Sequence, residues 1–274
     1  MTKLAAIQMR STPLDIQGNV ASVLSHMQAA AEAGVRLAVF PECILTGYML
    51  NADQVAVAAQ RSDGEAARTL AQACARHSLW IAIGTIERTP QGGLANAAWL
   101  MGPDGLQASY HKTHLPFLGV DRYLPPGETL QPPVDLGYGR FGLLICYDLR
   151  LPEPSRCLAL EGAQAILLPT AWPDSASFYP DFMAQTRAAE NGIALVAANR
   201  VGSEAGNRYL GHSMIIGQDG EKLAEADGES ESMLTADIDL ARSSEKRRIF
   251  SPDEYELDLF GDRRPELYQR LTLR

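Results

Sequence analysis

The feature that most constrains this chain is a set of short apolar runs, each closed by a turn or a polar residue. Leu37-Ala-Val-Phe40, Trp80-Ile-Ala-Ile-Gly-Thr-Ile86, Phe141-Gly-Leu-Leu-Ile145, Ala165-Ile-Leu-Leu168 and Ile193-Ala-Leu-Val-Ala-Ala198 are too short for ordinary helices. Runs of this kind read as strands buried on both faces. Leu4 to Met9 reads as a further, first strand. Between the runs, apolar residues recur at helical spacing. Val20, Val23, Leu24, Met27 and Ala31 precede the stop at Gly34, and Ala67, Leu70, Ala71 and Cys74 precede His77-Ser78. Further helices are expected over Pro154 to Gly162 and over Tyr179 to Asn191, the latter stopped by Gly192. One hairpin should join Ala97–Met101 to Gln107–Tyr110 through Gly102-Pro-Asp-Gly105, and another should turn at Asp219-Gly220. Ser232 to Ile238 reads as a last strand, followed by a short helix through Arg248. Alternating strands and helices interrupted by hairpins argue for an α/β layered domain with mixed sheets.

The absence of a visible repeat or linker argues for one domain over 1–274. Within it, 249–274 forms a tail whose Phe250, Tyr255, Leu257, Phe260 and Tyr268 pack on the same domain or on a partner subunit. Net charge is −9 without a basic block, which excludes nucleic acid as an expected partner. The one basic cluster, Lys246-Arg247-Arg248, reads as a solvated helix end. Cys43, Cys74, Cys146 and Cys157 form no Cys-x-x-Cys pair, so a reducing, cytoplasmic setting is expected. No signal-peptide pattern opens the chain, and no run of ~18 apolar residues suggests a membrane span.

Reactive groups gather at the ends of the buried runs. Cys146 closes one, with Tyr147-Asp-Leu-Arg150 and then Pro152-Glu153 opening a helix. A strand-to-helix corner holds a nucleophile rigidly beside outward-pointing backbone N–H groups. On this stretch alone a buried core thiol fits equally. Glu42 lies just past the run that ends at Phe40, and Lys112 follows the second arm of a hairpin, between His111 and His114. Gly119 to Pro133 has no periodicity and reads as a covering loop. Gly137-x-Gly139-x-x-Gly142 matches a dinucleotide fingerprint, but it opens a strand where the phosphate mechanism needs a helix, so it is set aside.

Phe-Pro-Glu at 40–42, His-Lys-Thr-His-Leu at 111–115 and Cys-Tyr-Asp-Leu-Arg at 146–150 resemble the nitrilase superfamily of carbon–nitrogen hydrolases. The resemblance continues through Arg187-Ala-Ala-Glu-Asn-Gly192, Ala198-Asn-Arg-Val-Gly202, Gly211-His-Ser213 and Asp262-Arg-Arg-Pro-Glu-Leu-Tyr268. It implies a four-layer α-β-β-α sandwich with two mixed β-sheets, assembled as a homodimer or higher homo-oligomer. No cofactor is expected, and no metal, since His111 and His114 lack a third ligand at a credible spacing. Carried over, Cys146 would be the nucleophile, Glu42 the general base and Lys112 the stabiliser of the transition state. The Tyr147 N–H would complete an oxyanion hole with Lys112. The chemistry agrees, since a free thiol of pKa ~8.5 needs a base or a nearby cation to attack at neutral pH. Where the family commonly has a second glutamate, this chain offers Asp121, with Glu128 less suitably placed beyond Gly127. Cys146-Tyr-Asp resembles the amidase and carbamoylase branches rather than the Cys-Trp-Glu of nitrile-cleaving members. A small-molecule amide is therefore the expected substrate, and Tyr48, Phe117, Ala171 and Trp172 are candidate pocket walls. The rivals are a Cys–His hydrolase using His111, His114 or His212, and a catalytically silent binding protein of the same fold.

Overall fold

The structure is a computed structural model that describes residues 1–273. Strand β1 (Thr2–Gln8) leads to α1 (Ile16–Glu32) and β2 (Leu37–Val39). Helices α2 (Ala52–Ala58) and α3 (Glu65–His77) precede β3 (Trp80–Arg88) and the hairpin of β4 (Leu94–Gly102) with β5 (Gly105–His111). A second series runs β6 (Val134–Asp135), β7 (Arg140–Leu143), α4 (Pro152–Leu160), β8 (Ala165–Pro169), α5 (Ala184–Asn191) and β9 (Ala194–Ala198). The short pair β10 (Ser203–Glu204) and β11 (Asn207–Arg208) comes next, then the hairpin of β12 (Met214–Ile216) with β13 (Lys222–Glu225). The chain closes with β14 (Ser232–Ile238), β15 (Arg247–Ser251) and β16 (Tyr255–Asp258).

Two mixed sheets result, ordered β14-β1-β2-β3-β4-β5 and β13-β12-β9-β8-β7-β6. Read from β14, the first sheet pairs antiparallel, parallel, parallel, antiparallel, antiparallel. Read from β6, the second gives the same series. The two sheets share one series of strand directions, although the outer strand β14 of the first comes from after the second sheet in the chain, and the residues themselves do not announce the likeness. Strand pairing follows burial pattern and connection length, neither of which requires similar residues.

Alternation along the strands sorts the core into layers. Leu4, Ala6, Leu37, Val39, Ala98 and Leu100 share a cluster with Phe141, Leu143, Ala165 and Leu167 between the sheets. Their neighbours Ala5, Ile7, Ala38, Ile81 and Trp99 turn the other way, onto Val23 and Met27 of α1 and Leu70 and Cys74 of α3. Leu158 of α4 and Ala184 and Ala188 of α5 cover the second sheet. The architecture is the four-layer α-β-β-α sandwich. Both faces of each central strand are covered, which is why the apolar runs lack polar alternation.

Helix α5 continues from a π turn over Tyr179–Met183 and stops at Gly192, whose φ of 58° a side chain would resist. The helix expected through Arg248 is absent. A 3-10 turn (Leu240–Ser244) and β15 stand there, so Ser232–Ile238 is not the last strand. Lys246 does not end a helix of its own. Its Nζ donates to Asn191 O (2.9 Å) and Gly192 O (3.0 Å), capping the C-terminus of α5. In the tail, β15 and β16 pair as a hairpin, Phe260 packs against the core, and Ile249, Phe250, Tyr255 and Leu271 stand exposed.

Candidate active site

Three strand ends converge. β2 continues through Phe40 and Pro41 to Glu42, β5 hands directly to Lys112, and β7 continues through Leu144 and Ile145 to Cys146. The Glu42 N–H donates to Thr170 O (3.2 Å), which joins the end of β2 in one sheet to the end of β8 in the other. Gly84 in β3 permits this packing. A Cβ there would lie 2.5 Å from the Glu42 Cα, so the gap in an otherwise apolar strand is steric.

Lys112 Nζ stands 2.7 Å from Glu42 Oε1 and 2.6 Å from Asp121 Oδ2, with all three side chains sealed from solvent. Asn96 Nδ2 donates to both carboxylates, 2.8 Å to Glu42 Oε1 and 2.8 Å to Asp121 Oδ1. The Tyr48 hydroxyl donates to Asp121 Oδ2 (2.8 Å). Burial pushes the Glu42 carboxyl up, Lys112 pulls it down and Asp121 pushes it up again, for a net rise. Burial pulls Lys112 down, but the Asp121 and Glu42 carboxylates outweigh it, so the ammonium persists well above the usual lysine range. One Glu42 oxygen is thereby tied up. The other, Oε2, is buried with no hydrogen-bond partner among the described residues.

Cys146 is 7% exposed and holds a φ of 45°. A non-glycine residue in this region costs about 1–3 kcal/mol and persists where surrounding structure enforces it. Cys43, directly after Glu42, has a φ of 47°, so both strand ends turn sharply at the site. Burial raises the Cys146 thiol and Glu42 raises it further, while Lys112, the Thr170 hydroxyl and the Ala171 N–H act in the opposite direction. The net effect is upward. The resting sulfur is a thiol and needs a base to become a nucleophile.

Asp148 braces the corner. Its Oδ2 accepts from the Ile145 N–H (2.9 Å) and the Tyr110 hydroxyl (2.8 Å). Its Oδ1 accepts from the Thr113 hydroxyl (3.0 Å) and the His114 N–H (3.0 Å), with His114 Nδ1 at 2.8 Å. One carboxylate therefore ties the turn carrying Cys146 to the loop following Lys112.

The sequence profile of carbon–nitrogen hydrolases matches residues 3–248. The chain belongs to the carbon–nitrogen hydrolase family. A relative described as "Hydrolase in pqqF 5'region" from Pseudomonas protegens is 35% identical, over 99% of this chain and 92% of its own length. A nitrilase from Pyrococcus abyssi is 33% identical, over 98% of this chain and 100% of its own. Among solved structures, a glutamate-to-glutamine mutant of the amidase from Nesterenkonia sp. AN1 matches with a TM-score of 0.81. It is 27% identical over 99% of this chain and 100% of its own, and shows the result of Michael addition of acrylamide at the active-site cysteine. This chain is a carbon–nitrogen hydrolase of the amidase type, acting through a cysteine nucleophile.

The remaining expected residues of the hydrolase differ in burial and in what they touch. Tyr147 is the second residue of the 3-10 turn Cys146–Arg150. Ala171 follows β8 and its N–H acts to lower the Cys146 thiol, while Trp172 is wholly buried and stacks on Tyr179 (5.0 Å between centroids, 3° between planes). Tyr48 is buried and holds Asp121. Phe117 is 88% exposed, with its ring 5.9 Å from the Arg122 guanidinium. The histidines of the rival reading face carboxylates: His111 Nε2 faces Glu87 (3.1 Å), His114 Nδ1 faces Asp148 (2.8 Å) and His212 Nδ1 faces Glu225 (3.4 Å). The sequence reading overlooked Asn96, Thr170 and the bracing by Asp148. Asn96 had a signal, being the polar residue in Leu94-Ala-Asn-Ala-Ala-Trp99, since a buried amide needs partners.

Proposed function

We propose that the hydrolase converts a small amide to its acid and ammonia or an amine through a thioester on Cys146, with Glu42 and Lys112 as its partners. The open Glu42 Oε2 takes the thiol proton as the sulfur attacks the carbonyl carbon. The C–S bond forms, and the carbonyl electron pair moves to an oxyanion held by Lys112 Nζ and the Tyr147 N–H. The oxyanion collapses, the C–N bond breaks, and Glu42 returns its proton to the departing nitrogen. Water then loses a proton to Glu42 and attacks the thioester, and the sulfur leaves and is reprotonated. Asp121 keeps Lys112 charged and fixed throughout. The observation that carries this reading is Glu42 itself: one oxygen is tied to Lys112, and the other is buried, free and beside a thiol that needs a base.

Ala171, Trp172, Tyr48 and Phe117 form the walls of a pocket for a small substrate with an apolar part. The amide is preferred over a nitrile because Tyr147-Asp148 follows the cysteine. The test is release of ammonia from small amides, ω-amides, N-carbamoyl compounds and nitriles, with Cys146→Ala as blank. Turnover of amides that vanishes in the blank supports the reading. Turnover confined to nitriles or carbamoyl compounds would reassign the substrate, and none at all would favour a silent binding protein.

Among the described residues no helix is long and apolar enough to cross a membrane. The protein acts in the cytoplasm as a homodimer or larger assembly in which 249–274 packs on a partner subunit. The exposed Ile249, Phe250, Tyr255, Leu267 and Leu271 support this packing. Truncation before Ile249 should lower the mass in solution and the melting temperature. Unchanged values would exclude it.

A further inference from the structure

Two buried oxygen atoms at the strand ends of the site lack a hydrogen-bond partner among the described residues. One is the acceptor Glu42 Oε2, which the proposed mechanism uses. The other is Thr170 Oγ1, which it does not.

The position of Thr170 follows from strand register. β7 and β8 run parallel with Phe141 opposite Ala165, Gly142 opposite Ile166 and Leu143 opposite Leu167. Carried past both strand ends, the same offset sets Cys146 opposite Thr170. The backbone there is fixed on both sides: the Thr170 N–H donates to Ala198 O (2.9 Å), and its carbonyl accepts from the Glu42 N–H (3.2 Å). The side chain is wholly buried. A hydroxyl in such a place ordinarily bonds to a nearby carbonyl, and leaving it without a partner is costly. The register sets it opposite Cys146, whose thiol the Thr170 hydroxyl and the Ala171 N–H both act to lower.

We propose that Thr170 is a further catalytic residue whose hydroxyl donates a hydrogen bond to the Cys146 sulfur as that atom becomes charged. The inference rests on the reading of Cys146 as nucleophile. When Glu42 removes the thiol proton, the sulfur turns from a weak donor into an acceptor, and the waiting Thr170 proton meets it. When the thioester forms, the sulfur loses its charge and the bond relaxes. When water attacks the thioester, the bond re-forms on the departing thiolate. The two unpaired oxygens are thus complementary. One receives the proton and the other steadies the atom that gave it up. Hydrogen bonds of this type are loose in the resting enzyme and tighten during reaction.

The test compares the parent with Thr170→Val, which keeps the shape without the hydroxyl, and Thr170→Ser, which restores it. Alkylation of Cys146 by iodoacetamide is followed by peptide mass spectrometry from pH 6.5 to 10, alongside kcat/KM on an amide substrate. Glu42, Lys112, Tyr48 and Tyr179, the titratable groups around the sulfur, are the same in all three proteins. In Thr170→Val the alkylation curve should move to higher pH by about one pH unit. The rate at pH 7 should fall about threefold, because greater nucleophilicity partly offsets the lost thiolate. The kcat/KM should fall about tenfold, and Thr170→Ser should recover both within about twofold. The melting temperature of Thr170→Val should not fall, since a hydroxyl without a partner has been removed. If the valine variant alkylates along the parent's curve, or the serine variant fails to recover what valine lost, the proposal is overturned. Thr170→Ala supplies a second hydroxyl-free variant should valine disturb folding. If Cys146 is not the alkylated residue in the parent, the nucleophile assignment fails, and this result is distinct from any difference between the variants.

Discussion

Lys112 Nζ lies 2.6 Å from Asp121 Oδ2, nearer than its 2.7 Å contact with Glu42, and neither side chain reaches solvent. Of the groups that keep the lysine charged, Asp121 acts most strongly. Removing its charge leaves a buried ammonium half-compensated, which typically costs about 3–5 kcal/mol. Asp121→Asn should therefore lose stability of that order in urea unfolding. Its kcat should fall by about 10²-fold or more as the stabilising cation shifts. Near-parental kcat would remove Asp121 from the site.

Glu42→Gln keeps the shape and an acceptor for Lys112 but cannot take a proton. Its kcat should fall by about 10²–10⁴-fold while the fold persists. The variant should also change the pH dependence of stability. A carboxyl whose folded pKa lies above its unfolded value stabilises at low pH, and that contribution is lost as pH rises through the folded value. The melting temperature of Glu42→Gln minus that of the parent should therefore grow from pH 4 to pH 8. A constant difference would show that the carboxyl is not raised.

His114 is raised by its hydrogen bond to Asp148, against the opposing pull of partial burial. Its stabilising contribution is complete below the unfolded value of ~6.5 and is lost as pH rises through the higher folded value. His114→Gln should thus fall further below the parent in melting temperature at pH 6 than at pH 9. Asp148→Asn removes the brace from both the nucleophile turn and the lysine loop, so it should lower kcat more than His114→Gln does. Equal kcat in the two variants would argue against that coupling.

Asn96 bridges two carboxylates through a single amide nitrogen. Asn96→Leu keeps similar bulk but removes both charge-assisted hydrogen bonds, each worth about 1.5–3 kcal/mol. The expected outcome is a lower unfolding midpoint together with a lower kcat. A loss of stability with kcat intact would make Asn96 a prop for the fold alone.

Glu42 and Cys146 were visible in the sequence because each closes an apolar run at the mouth of a sheet, and Lys112 because it follows a hairpin arm directly, between two histidines. The layers were visible because runs buried on both faces need cover on both faces. Thr170 was not visible. It ends its run as Glu42 and Cys146 do, but threonine at a strand end is ordinary, and only the register against Cys146 distinguishes it. Asn51 and Gln54 form a capping box at the start of α2, a signal present in the sequence and passed over. The tail hairpin was misread because Lys246-Arg247-Arg248 fits a helix end locally. What decides otherwise lies at a distance: Asn191 and Gly192 receive Lys246, and Glu256 pairs with Arg247 across the hairpin.

All seven residues of β1 pair with β14, from Thr2 opposite Ile238 to Gln8 opposite Ser232. During synthesis the opening strand therefore waits for nearly the whole chain before its outer neighbour arrives. The carboxylate and the ammonium are translated long before the sheet that carries them is closed. The first sheet is thus completed by a pairing between distant parts of the chain, the kind of long-range contact that slows folding.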